Sequence, residues 1–149
     1  MQSKLYRDAI ERYSVAIALC DDNAVYYCNR AAAYTQTQQY TEAIRDCHKA
    51  IEIDPSYIKA YSRLGSVYYA QENFNDAIHK GFKKALQLDP GNEFIKGKCK
   101  AAVIKLTIEE YERAGGSGFL NPGEVELSGM DQLPDNYNEI IRAAFQRDN

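Results

Sequence analysis

Lys59 and Arg63 stand four residues apart, so on a helix both side chains project from one face. Asn29 lies one 34-residue period before Arg63 and therefore at the same level of a repeating structure. An ammonium, a guanidinium and an amide placed this way can converge on one anion. Nothing else in the chain has the spacing of a reaction centre. There is no nucleophile elbow and no glycine loop for phosphate. Cys47 and His48 are adjacent, so on a helix they face different directions. His48 and His79 lie 31 residues apart with no ligand spacing to cysteine or to an acidic pair. The four cysteines, Cys20, Cys28, Cys47 and Cys99, form no Cys-x-x-Cys pair and read as small buried residues in a reducing compartment. The expectation is a binding protein, not an enzyme, with no metal and no cofactor.

The elements that must position these groups are written three times. Tyr6 to Leu19, Tyr40 to Ile53 and Phe74 to Leu88 each carry an aromatic residue, an Ala-Ile pair and a second alanine. The first alanine of each pair falls at Ala9, Ala43 and Ala77, a period of 34 residues. A period in that range means stacked helical hairpins that bury a core only against their neighbours and leave a concave surface for binding.

Composition agrees with a globular chain. Of 149 residues, 45% are apolar, and the net charge of −3 is mixed in sign along the chain. That balance argues against bulk nucleic-acid binding, which needs a basic stripe. No window approaches the run of about 18 apolar residues that crosses a bilayer, and the N-terminal residues lack the apolar stretch of a secretory signal. The expectation is a cytoplasmic protein that binds no nucleic acid and inserts in no membrane.

With Ala43 and Ala77 at position 20 of the repeat, one repeat covers 24–57 and the next 58–91. Tyr27 and Tyr61 then occupy position 4, Ala31 and Gly65 position 8, Tyr34 and Tyr68 position 11, and Tyr40 and Phe74 position 17. Small residues at 8 and 20 let two helices approach, while the aromatic residues fill the space around that contact. Pro55 and Pro90 follow the second helices, where a missing N–H costs little. Over 1–114 this pattern resembles the tetratricopeptide repeat family. The resemblance implies an all-α fold: a right-handed superhelical stack of antiparallel helix pairs, with the first helix of each pair lining a groove. It also identifies the groove face as Val25, Cys28, Asn29, Ala32, Thr35 and Gln36 in one repeat, and Lys59, Ser62, Arg63, Ser66, Tyr69 and Ala70 in the next.

One subgroup of the family grips the C-terminal carboxylate and last aspartate of the seventy- and ninety-kilodalton heat-shock chaperones. Asn29, Lys59 and Arg63 match three of that subgroup's five clamp positions residue by residue. The resemblance therefore implies a co-chaperone type of adaptor that binds acidic C-terminal peptides of those chaperones. Cys28, Ala32, Ser62 and Ser66 are the neighbouring contacts. The words around Asn29 and Arg63 are similar to those of small glutamine-rich tetratricopeptide co-chaperones. The competing expectations are a scaffold that binds a folded partner by other surfaces, or a truncated isoform with impaired peptide binding.

Counting back from Ala9 puts Met1 at repeat position 12, so a partial repeat over 1–23 is expected to expose its apolar side, leaving the domain either marginal or self-associating. The other two clamp positions fall before Met1. Ala77 to Pro90 is one residue longer than Ala43 to Pro55, and the extra residue near Gly81 predicts a π-bulge with a packing role. Phe94, Ile95, Cys99, Ala102, Val103, Leu106 and Tyr111 predict an amphipathic capping helix over 92–114. Five acidic residues and no basic one lie between Gly115 and Ile141, with several glycines, which reads as a flexible acidic tail over 115–149. A short helix over 136–147 is expected within it, able to dock on the first repeat or in the groove.

Overall fold

The computed structural model describes residues 2–113; the predicted tail, its short helix and residue 114 lie outside them. Every regular element among these residues is helical. Helix α1 spans Gln2–Leu19, α2 Ala24–Gln36, α3 Tyr40–Ile53 and α4 Ile58–Ala70. A continuous helix follows in three parts: α5 over Phe74–Asp76, a π-helical stretch over Ala77–Phe82 and α6 over Lys83–Leu88. Helix α7, Glu93–Arg113, closes the end of the stack.

Local chemistry sets the boundaries. Asn23 accepts a hydrogen bond from the Val25 N–H and Asn92 accepts one from Ile95, so both cap the helix that follows. The turn after α2 and the turn after α4 are the same turn one period apart. Gln38 and Glu72 take left-handed conformations, with φ of 62° and 61°. The next N–H reaches back five residues, Gln39 to Tyr34 at 2.8 Å and Asn73 to Tyr68 at 2.9 Å. That bond closes the last carbonyls of the helix, as in a Schellman turn. The position-4 tyrosines also repeat a role: Tyr27 donates to the Asp21 carbonyl and Tyr61 to the Pro55 carbonyl, tying each inner helix to the turn before it.

Helices cross where the small residues predicted it. Ala31, Ala43 and Ala77 have no exposed surface, and Tyr27, Tyr68 and Phe74 are buried around them. The predicted bulge is present as the π-helical stretch, and its cause is close packing against α4. A Cβ added at Gly81 would lie 2.3 Å from the Gly65 Cα, so these two backbones touch without side chains between them. The wide turn also swings Phe82 inward, where its ring lies against Gly65 and is 1% exposed. The main core runs from Ala31 through Leu64, Val67, Ile78 and Phe82 to Ala102 and Val103 of α7. At the other end α1 leaves Leu5, Val15 and Leu19 exposed.

Candidate peptide-binding groove

Helices α2 and α4 touch each other as the inner helices of successive hairpins, each backed by its own second helix, and α7 packs beside α4. Asn29 is the sixth residue of α2, Arg63 of α4 and Lys98 of α7, since these helices begin at Ala24, Ile58 and Glu93. The three residues therefore hold the corresponding position on three helices that pack in succession.

Arg63 is half-buried, and its Nε is fully covered with no hydrogen-bond acceptor among the described residues. Leaving such a donor unsatisfied costs about 1–3 kcal/mol, a debt that an incoming carboxylate oxygen would cancel. The guanidinium charge reaches groups on both sides of it. Burial pushes the Cys47 thiol well up and the nearby Arg63 charge partly opposes this. Lys98 is held below the ordinary lysine value, first by desolvation and then by Arg63. Lys59 is exposed and Asn29 is half-buried, and neither makes a hydrogen bond or ion pair with another described residue. Other cations are engaged: Arg30 with Asp46, Lys49 with Glu52, Lys80 with Asp76 and Lys96 with Glu93.

Of the neighbouring contacts expected from the sequence, Ala32, Ser62 and Ser66 are half-buried on α2 and α4 and keep surface for a ligand. Ser66 Oγ donates to the Ser62 carbonyl at 3.1 Å and accepts from Lys98 Nζ at 3.0 Å. Cys28 is corrected. It has no exposed surface and packs with Ala24, Tyr27, Ala50 and Ala60, so a peptide in the groove does not reach it. The position lies at the joint between repeats, where α2 meets α3 and α4. There its small thiol fills the gap, and burial together with that thiol pushes the Tyr57 phenol up.

Lys98 was not among the residues picked out from sequence, though a signal for it existed. Once the extra residue of the π-helical stretch is counted, α7 begins 35 residues after α4 and its sixth residue continues the series Asn29, Arg63. Lys98 also borders a recess of about 330 Å³ lined by Ser66, Tyr69, Phe82 and Ala101. Among the described residues no group of three or more His, Cys, Asp or Glu side chains could hold a metal ion, and no helix is long and apolar enough to cross a membrane.

A stack of antiparallel helical hairpins closed by a final helix is the architecture of a helical repeat protein. The tetratricopeptide repeat family model matches residues 24–57. The second such domain of human RPAP3, solved with the HSP70 peptide SGPTIEEVD, is 38% identical with a TM-score of 0.61, over 65% of this chain and 80% of that one. The chain belongs to the tetratricopeptide repeat family. The first such domain of Spaghetti (RPAP3), solved with the HSP90 peptide SRMEEVD, is 29% identical with a TM-score of 0.65, over 70% of this chain and 82% of that one. Among whole proteins, the small glutamine-rich tetratricopeptide repeat-containing protein 2 of Saccharomyces cerevisiae is 44% identical over 97% of this chain. The chain spans 46% of that relative's length.

Proposed function

We propose that this chain is a non-enzymatic, cytoplasmic adaptor of the co-chaperone type, which holds the acidic C-terminal peptides of heat-shock chaperones in its concave groove. Asn29, Lys59 and Arg63 receive the terminal carboxylates, and Ala32, Ser62 and Ser66 border the peptide. The observation that carries the reading is the unsatisfied Nε of Arg63, buried in the same groove as a free lysine and a free amide. Solved relatives holding peptides that end in Glu-Glu-Val-Asp support the ligand class.

The test is a fluorescence-anisotropy titration of labelled Ser-Arg-Met-Glu-Glu-Val-Asp against the chain and its Arg63→Ala and Lys59→Ala variants. Hydrogen bonds to a charged group contribute roughly 1.5–3 kcal/mol, so Arg63→Ala is expected to weaken binding about 10- to 100-fold. Lys59→Ala, which removes an exposed charge, is expected to cost less and to act mainly on the association rate. Saturable binding that is indifferent to both substitutions sinks the reading.

A further inference from the structure

The series of corresponding positions does not end at Arg63. Lys98 continues it from the capping helix, and its ammonium is bonded to a neutral hydroxyl, with no acidic partner among the described residues. Its stem passes the Phe94 ring, with Nζ 4.7 Å from the ring centroid, so the head is held by contacts on two helices instead of waving in solvent. Lys98 lies near enough to Arg63 to feel its charge, and neither is paired with an acidic side chain among the described residues. The recess beside them has an aromatic and aliphatic wall, from Tyr69, Phe82 and Ala101, and one charged corner. That combination suits a side chain with an apolar stem and an anionic tip.

We propose that Lys98 and Ser66 form a second carboxylate point, which takes a glutamate side chain of the bound peptide upstream of its C-terminal residue. The inference rests on the groove reading above. Spacing indicates which glutamate. From Lys59 to Ser66 the helix rises ~10 Å at 1.5 Å per residue, about the reach of three extended residues. With the last residue held near Lys59 and Arg63, the third residue before it arrives at Lys98. Its methylenes lie on Tyr69 and its carboxylate meets the ammonium. The desolvation and the Arg63 repulsion now borne by Lys98 are then offset by an opposite charge.

A double-mutant cycle on the full chain tests this. The labelled peptide Ser-Arg-Met-Glu-Glu-Val-Asp and a version with glutamine for the first glutamate are titrated against wild type, Lys98→Ala and Lys98→Arg at low salt. The folding of each variant is checked by its thermal melt. Lys98→Ala is expected to weaken the first peptide about three- to tenfold and to leave the glutamine peptide unchanged, with Lys98→Arg close to wild type. Equal losses for both peptides would overturn the inference. So would no loss in Lys98→Ala while Arg63→Ala still weakens binding, an outcome that leaves the groove reading intact. No binding of either peptide by the wild-type chain overturns both.

Discussion

Arg30 and Asp46 form an ion pair largely shielded from water between α2 and α3. The guanidinium Nε and one terminal nitrogen meet both carboxylate oxygens at 2.7 Å, and the other terminal nitrogen donates to Ser14 Oγ at 3.1 Å. The rings of Tyr27 and Tyr34 lie 5.7 and 5.6 Å from the same guanidinium. One arginine therefore joins α1, α2 and α3, and its bond to the Asp46 carboxylate makes Arg30 hold its proton more firmly than usual. With Asp46 at 5% side-chain exposure and Arg30 at 18%, removing one partner leaves an uncompensated charge. Asp46→Ala is expected to cost about 3 kcal/mol in urea unfolding, while Arg30→Met together with Asp46→Leu recovers most of that loss. A double variant as unstable as the single one would show that the pair itself, not the stranded charge, carries the stability. No spacing in the sequence marks this pair, because its members sit on different helices and become partners only when the hairpin closes. Cys28 was hidden for the same reason, since periodicity names a helix face but not the angle at which two helices cross.

At the scale of elements, the sequence was most informative where one residue type is forced by close packing. Ala31, Ala43 and Ala77 at the crossings, and the 13-residue interval that became a π-turn, could be read because a bulky residue or a different count fails sterically at each. What the interval did not disclose was its partner: Gly81 is small for Gly65, and Phe82 turns inward for Gly65. A Cβ at Gly65 would come within 2.7 Å of the Phe82 ring, whereas one at Gly81 would strike Gly65 backbone atoms at 2.3 and 2.4 Å. Gly65→Ala is thus expected to destabilise by about 1–3 kcal/mol through overpacking. Phe82→Ala is expected to cost about 3–5 kcal/mol through the cavity it leaves. Combined, they compensate, because the new methyl enters the space the ring has left, and the coupling exceeds about 1 kcal/mol. Gly81→Ala finds no such relief in the Phe82→Ala background, since backbone and not a ring stands in its way. Additive losses for Gly65→Ala and Phe82→Ala in denaturant titrations would refute this account of the π-turn.

For the molecule as a whole, stability is distributed along a line, because each hairpin is buried only by its neighbours. The cysteines sample that line at useful points. Cys20 is exposed just after α1, Cys28 and Cys47 are fully buried at the joint of the middle hairpin, and Cys99 is partly covered in the capping helix. Native-state labelling with a thiol reagent at pH 8 is expected to modify Cys20 first, although its hydrogen bond to Asp22 raises its pKa and slows it relative to a free thiol. Cys28 and Cys47 should wait for opening of the central core, at a rate that thiolate chemistry in the native state does not set. Cys99 separates the two regimes. Burial pushes its thiol up from 9.0 to about 11, so at pH 8 only about 0.1% is thiolate. If the cap stays closed, labelling of Cys99 rises about tenfold per pH unit until the pH approaches 11. The sign for stability follows from the same shift. The folded state keeps the Cys99 proton where the unfolded chain loses it, so this contribution is complete below pH 9 and is lost as pH rises through about 11. Cys99 labelling that is as fast as Cys20 at pH 8, or indifferent to pH, would mean that the capping helix leaves the stack far more often than its buried Ile95, Ala102 and Val103 imply.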